Sequence, residues 1–138
     1  MEVKNAVLVE EYKGLSLREY QQRAMTTCTE SSNNFSYMML NLVGETGELA
    51  SKVAKAIRKE QASIVENKFH FNKDKFSDLS ECVGKEKEMM LEAGDILWEL
   101  SGLCSVMGWS LEDIAQMNLD KLASRKERNV IIGDGDNR

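Results

Sequence analysis

The chain has 138 residues, a formal net charge of -5 and 42% hydrophobic residues. Its length predicts a single domain over residues 1–138, and its apolar fraction is enough to bury a core. Because the chain is acidic and has no long basic run, we do not expect a polymeric nucleic-acid partner. The three cysteines form no closely spaced pair, which is typical of reduced thiols in a cytoplasmic protein.

Residues 1–14 are predicted to form an N-terminal extension, which carries charges and lacks the apolar segment of a secretion signal. No apolar run reaches the roughly 18 residues that a membrane span requires, so we expect no membrane association. The absence of proline and the many Leu, Met, Ala, Glu and Lys residues favour an all-α, four-helix bundle-like fold.

Four helices are predicted in chain order. Helix one begins at Ser16, which is spaced from Glu19 as in a capping box, and runs to about Cys28. Helix two is amphipathic and runs from Asn34 or Phe35 to about Lys59.

Residues 60–80 lose the helical period and are predicted to form a connection or a short hairpin. The bounds predicted for helix three are Glu81 or Glu86 to Met107, and those for helix four are Ser110 to Arg125 or Arg128. Residues 129–138 are rich in glycine and acids and are predicted to be a flexible tail.

Two pairs of carboxylates are spaced three residues apart on predicted helices, namely Glu45 with Glu48 and Glu92 with Asp95. Like charges at this spacing repel, so they need a cation or ample water nearby. Helix three is apolar around most of its circumference, as in a buried helix. Its acids form one narrow row that has no basic partner within the helix, namely Glu88, Glu92, Asp95 and Glu99. If helices two and three pack side by side, the four carboxylates form a cage suited to Mg²⁺ or Mn²⁺. The alternative is an ordinary acidic face in contact with water.

Three segments resemble motifs of the MazG-like nucleotide pyrophosphohydrolases. They are GETGELA at residues 44–50, EAGDILW at residues 92–98 and GDGDNR at residues 133–138, within a similarity that extends from about Leu15 to Arg138. Members of that family carry an ExxE motif and then an ExxD motif on neighbouring helices, and bind Mg²⁺ there. They split nucleoside triphosphates into monophosphate and pyrophosphate. One departure is the long separation between Glu48 and Glu92, which bears on substrate specificity and oligomer geometry more than on chemistry.

The resemblance implies roles for particular residues. The expected metal ligands are Glu45, Glu48, Glu92 and Asp95. Glu45 and Glu48 are the expected catalytic residues, with Glu48 preferred as general base. The expected substrate-binding residues are Lys52, Lys55, Asn118, Lys121 and Arg125. For the cationic residues, the alternative is a solvated helix face in which Lys52 pairs with Glu48. Three helical glycines, Gly44, Gly47 and Gly94, are predicted to permit close helix contact or to leave room for the metal and phosphates.

The function implied is that of a Mg²⁺-dependent hydrolase of (d)NTPs, with a role in clearing unwanted nucleotides. The apolar surface of helix three predicts association into a homodimer or homotetramer. The tail at residues 136–138 is expected to order over bound nucleotide. The alternative function is a non-catalytic helical assembly or regulatory module that binds nucleotide or metal without turnover; the intact acids favour the enzyme.

Overall fold

The computed structural model describes residues 14–135, so most of the predicted N-terminal extension and the last three residues of the tail lie outside the described range. The elements are α1 (Leu17–Met25), α2 (Phe35–Arg58), β1 (Ala62–Val65), β2 (Lys68–Phe71), a short 3-10 turn (Lys73–Lys75), α3 (Leu79–Val106) and α4 (Leu111–Glu127). The mostly helical fold is confirmed. An all-α fold is corrected in one respect, because residues 62–71 form a small hairpin.

Three of the helices start where the capping residues predict. The hydroxyl of Ser16 accepts a hydrogen bond from the backbone N–H of Glu19 at 3.0 Å. The side chains of Asn34 and Ser110 cap α2 and α4 in the same way. Each bond satisfies an N–H group that has no partner within the helix. Regular α1 ends at Met25, slightly before the predicted end, and the chain continues to Cys28 through turns.

Helix α3 begins at Leu79, earlier than either predicted start. Its cap is Asp78, whose carboxylate accepts from the N–H of Glu81 at 2.9 Å. The Glu81 carboxylate in turn accepts from the backbone N–H of Ser77 at 2.8 Å and from its hydroxyl at 2.7 Å. These two bonds are the main reason that the pKa of Glu81 lies below its usual value. The reciprocal arrangement fixes the start of the helix.

Of the two structures predicted for residues 60–80, a connection or a short hairpin, the hairpin is the one that forms. Its strands are antiparallel, with Ala62 opposite Phe71 and Val65 opposite Lys68. Glu66 and Asn67 form the two-residue turn, and both have positive φ angles, 50° and 60°, as a type I′ turn requires. The side-chain amide of Asn72 donates to the carbonyl of Glu60 at 2.7 Å, which ties the hairpin to the end of α2.

The core lies mainly between α2 and α3, with α1 packed against α3. Met38 of α2 is fully buried and lies directly over Gly102 of α3. A Cβ atom at Gly102 would collide with the thioether of Met38, so a larger residue there would force this buried side chain to shift. Two roles were predicted for Gly44, Gly47 and Gly94. Close helix contact is not seen within one chain, because a Cβ atom at these positions would meet at most one atom, at 3.5 Å. The other role, leaving room for the metal and phosphates, stays a prediction.

Helix α3 is less buried than its composition predicts. Its buried residues are Cys82, Glu99, Ser101, Gly102, Leu103 and Cys104. Met90 and Leu91, in its middle, remain 58% and 60% exposed. Apolar side chains of α2 and α4 are also exposed, among them Leu40, Val43 and Met117. One chain therefore leaves a large apolar surface uncovered. None of the helices between residues 14 and 135 is both long and apolar enough to cross a membrane.

Gln21 of α1 joins the end of α3 to the start of α4. Its amide nitrogen donates to the hydroxyl of Ser105 and to the carbonyl of Trp109, both at 3.0 Å. Its amide oxygen accepts from the backbone N–H of Leu111 at 2.8 Å. One side chain thus holds three segments together.

We expect Gln21→Ala to lower the free energy of unfolding by about 2 kcal/mol, because it removes three hydrogen bonds and leaves the backbone N–H of the buried Leu111 without its partner. The neighbouring Gln22 is exposed, so Gln22→Ala is a matched control that should stay within about 0.5 kcal/mol of the parent. Urea denaturation of both variants measures the difference. Equal effects at the two positions would contradict the proposed role of Gln21.

Candidate metal centre

Three carboxylates converge where α2 and α3 pack together. Glu45 and Glu48 come from α2 and Glu92 from α3, and one oxygen atom of each lies within 4.8 Å of the others. Glu45 and Glu92 are half-buried and Glu48 is exposed. The helical spacing of three residues sets Glu45 and Glu48 on one face of α2. We call these three residues the acid cluster.

Asp95, the fourth predicted ligand, is exposed and does not belong to the acid cluster. It lies near enough for its charge to raise the pKa of Glu45. Its charge also adds to the effect of burial in raising the pKa of Tyr20, on α1. Asp95 and Tyr20 therefore border the acid cluster on the side of α1.

The acid cluster is electrostatically unfavourable by itself. The pKa of Glu45 is raised, first because burial disfavours its charged form and then because Glu48, Asp95, Glu99 and Glu92 repel a further negative charge. A bound cation would reverse this effect, since an opposite charge nearby favours the ionised carboxylate.

A lysine supplies part of the neutralising charge. The ammonium of Lys52 lies 3.2 Å from Glu92 and 3.8 Å from Glu88. Its hydrogen bond to Glu92 is the main cause of the raised pKa of Lys52. The alternative pairing of Lys52 with Glu48 is thus not what the structure shows. The prediction that the acidic row of helix three lacks a basic partner in its own helix is wrong, because Lys85 lies 2.8 Å from Glu88.

Comparison with known proteins identifies the family. Residues 33–130 match the sequence profile of the MazG nucleotide pyrophosphohydrolase domain. The chain belongs to the MazG family. It is also 36% identical over 109 residues to the Gene 37 protein of Mycobacterium phage L5, an alignment that covers 79% of this chain and 81% of that protein. No solved structure matches the chain significantly. The MazG-like resemblance of the sequence motifs is confirmed, and the matched segment contains the entire acid cluster.

The donors of this MazG domain fit a hard divalent cation. All three are carboxylate oxygens, which suit Mg²⁺ or Mn²⁺. The single histidine, His70, is exposed on β2, and no cysteine is among the clustered donors of residues 14–135, so a zinc site has no support.

Two polar residues beside the acid cluster, Asn41 and Glu99, are not among the site residues predicted from the sequence. Asn41 donates from its amide nitrogen to Glu45 at 3.3 Å and to Glu99 at 2.5 Å. Glu99 is only 2% exposed, although it lies on a helix whose other acids are more accessible. Asn41 precedes Glu45 by one helical turn, and this spacing is the only sequence signal for their contact. The pairing with Glu99 depends on how α2 and α3 pack.

The other predicted substrate-binding residues are one on α2 and three on α4, namely Lys55, Asn118, Lys121 and Arg125. Lys55 is exposed on α2, beyond Lys52. Asn118 and Lys121 belong to a stretch of α4, residues 116–124, in which every residue is exposed, whereas Arg125 is buried. Helix α4 is held to α1 at its first turn, where Arg18 pairs with Glu112 and Asp113. No contact described for residues 14–135 joins Asn118 to the acid cluster.

The raised pKa of Glu45 predicts how stability depends on pH in the metal-free protein. Protonation of Glu45 favours the folded state, and this contribution is fully present below the ordinary pKa of 4.5 and is lost as the pH rises through the folded-state pKa. In EDTA at pH 7 we therefore expect Glu45→Gln to be more stable than the parent, by about 0.5 kcal/mol. At pH 4 the two should be nearly equal.

Thermal unfolding in EDTA between pH 4 and 8 tests this prediction. Saturating Mg²⁺ at pH 7 should reverse the order, because only the parent retains the full set of charged donors. A parent chain that is the more stable of the two in EDTA at pH 7 would contradict the proposed repulsion at Glu45.

Proposed function

We propose that this protein is a metal-dependent nucleoside triphosphate pyrophosphohydrolase that converts (d)NTPs to the monophosphate and pyrophosphate. The observation that carries the proposal is the convergence of Glu45, Glu48 and Glu92 within the matched MazG domain. A nucleoside triphosphate is strongly anionic, so it can approach this cluster only with cations in between. The acid cluster and a triphosphate are thus complementary only through a shared metal.

In this proposal Glu45, Glu48 and Glu92 hold Mg²⁺ or Mn²⁺, and Asp95 adds a fourth carboxylate from the border of the cluster. A cation bound there would neutralise charge on the phosphates and lower the pKa of the attacking water. We assign Glu48 as the general base, because it is the exposed member of the cluster and water can reach it. Glu45 is the second catalytic carboxylate.

We assign the lysines beside the acid cluster to binding the phosphates of the substrate. Lys52 would exchange its ion pairs with Glu92 and Glu88 for phosphate oxygens once a cation neutralises those carboxylates. Lys55 lies within one turn of Lys52 on α2 and extends the same positive surface.

We further propose that Asn118, Lys121 and Arg125 bind nucleotide across a subunit interface. The exposure of residues 116–124 supports this for Asn118 and Lys121, which are accessible to a second chain, whereas Arg125 is buried just beyond that stretch. The exposed Leu40, Val43 and Met117 supply an apolar surface for a homodimer or homotetramer.

Incubation of the purified protein with common and damaged (d)NTPs in Mg²⁺, followed by ion-exchange separation of the products, tests the proposal. We expect monophosphate and pyrophosphate, and no product in EDTA. Diphosphate and orthophosphate would show that attack occurs at a different phosphorus. A folded, metal-binding protein that turns over no nucleotide would instead support the non-catalytic module.

A further inference from the structure

The amide of Asn41 lies between two carboxylates that come from different helices. A side-chain amide has two N–H donors on one planar nitrogen. In this structure that nitrogen contacts Glu99 of α3 at 2.5 Å and Glu45 of α2 at 3.3 Å. Because the donors are fixed at about 120° to one another, the short bond to Glu99 sets the direction of the bond to Glu45.

Glu99 is an unusual residue to find at this position. It is 98% buried, and its Oε2 atom has no hydrogen-bond partner among the described residues. Enclosing a carboxylate without full hydrogen bonding is costly, because the charge loses its hydration. Among residues 14–135, the only hydrogen bond of the Glu99 carboxylate is the one that Oε1 accepts from Asn41. The buried Glu99 carboxylate therefore depends on the Asn41 amide for its hydrogen bond and holds that amide in place.

That amide acts on a residue of the acid cluster. Asn41 contacts Oε1 of Glu45, one helical turn away, and restrains a side chain that would otherwise rotate freely. Groups that hydrogen-bond to metal ligands orient them and commonly affect metal affinity as strongly as 10–100-fold.

We infer that Asn41, anchored by the buried Glu99, is a positioning residue that fixes the Glu45 carboxylate for cation binding. The inference rests on the proposed function to the extent that Glu45 is a metal ligand. Asn41 contacts Oε1 of Glu45, and one oxygen of this carboxylate lies within 4.8 Å of oxygens of Glu48 and Glu92. Glu99 acts indirectly, through Asn41. It accepts one N–H of the Asn41 amide, and the other N–H then points at Glu45.

A merely structural role for Asn41 gives a different expectation. If Asn41 only tied α2 to α3, its removal would lower the melting temperature in EDTA and leave the affinity for metal unchanged. A positioning role lowers the affinity for metal in a protein that is still folded. Metal binding, measured without substrate, separates the two roles.

The experiment is a titration of the EDTA-stripped full chain with Mn²⁺, in which the free ion is followed by electron paramagnetic resonance. We expect Asn41→Ala to weaken Mn²⁺ binding by about 10–100-fold. Asn41→Leu keeps the branched shape and the number of side-chain heavy atoms and should weaken Mn²⁺ binding as Asn41→Ala does, which protects the test if the alanine variant does not fold. Glu99→Gln retains an acceptor for Asn41 and should weaken binding less than either.

Thr46→Ala is the matched control. Thr46 follows Glu45 on α2, but its hydroxyl donates to the carbonyl of Leu42 and not to a carboxylate. This variant should bind Mn²⁺ like the parent. Circular dichroism in EDTA establishes that each variant is folded.

The outcomes separate the inference from the proposed function. Parent-like Mn²⁺ affinity in folded Asn41→Ala or Asn41→Leu would overturn the inference, even if the parent hydrolyses nucleotides. Weakened binding in these variants, with no nucleotide turned over by the parent, would support the inference and overturn the proposed function. A parent chain that binds no Mn²⁺ would overturn the inference as well.

Discussion

Glu48→Gln is expected to lower kcat/KM for the best nucleotide substrate by about 10³-fold or more. The substitution keeps the size of the side chain, but it removes one negative donor of the acid cluster and the proposed proton acceptor. Loss of a general base alone commonly costs about 10²–10⁴-fold, and loss of a charged ligand adds to that effect. Steady-state rates at saturating Mg²⁺ measure the loss.

Glu66→Gln is the control for the change in charge. Glu66 lies in the hairpin turn, beyond the end of α2, and α2 alone extends about 15 Å past Glu48. This variant should retain the activity of the parent. Mg²⁺ should raise the melting temperature of the parent and of Glu66→Gln but not that of Glu48→Gln, because a ligand stabilises only the state that binds it. Full activity in Glu48→Gln would exclude the assigned role.

The features that were predictable from the sequence are local. The starts of α1, α2 and α4 follow from capping side chains three residues before their backbone partners. The convergence of the three clustered acids follows from helical spacing and from one assumption, that helices two and three are neighbours. The same local signal exists for α3, since Asp78 precedes Glu81 by three residues, although the loss of the helical period over residues 60–80 predicts a later start.

The sequence carries a weaker local signal for the hairpin than for the helix starts. Its turn residues, Glu66 and Asn67, adopt positive φ angles that asparagine tolerates but glutamate rarely adopts. The usual Asn-Gly or Asp-Gly signature of such turns is absent. The pairing of the strands and the side-chain bonds of Asn72 supply the stability that the turn sequence does not.

The features that were not predictable depend on tertiary contacts. Asn41 and Glu99 are 58 residues apart, and no periodicity relates them. The composition of α3 predicted burial all round, because apolar residues that stay exposed and those that face the core look alike in sequence. Gly102 is a further example, since nothing local distinguishes it from Gly94, yet only Gly102 lies against a buried side chain.

Gly102→Val should lower the free energy of unfolding by about 3 kcal/mol, the upper part of the range for overpacked cores. The new side chain would enter the space of the Met38 thioether, which is fully buried and would have to repack. For a chain of this size we expect the melting temperature to fall by about 10 °C. Gly84→Val, on the same helix at a position with open space, is the control and should change stability by less than about 0.5 kcal/mol.

A double variant tests whether the contact between Gly102 and Met38 is the cause. Met38→Ala alone should cost about 3 kcal/mol, because it leaves a cavity in the core. In Met38→Ala/Gly102→Val the added side chain fills part of that cavity, so the combined loss should fall short of the sum by at least about 1 kcal/mol. Strict additivity in urea denaturation would show that the two sites are independent. A shortfall would show that this contact sets the spacing of α2 and α3, the two helices that bring Glu45 and Glu48 to Glu92.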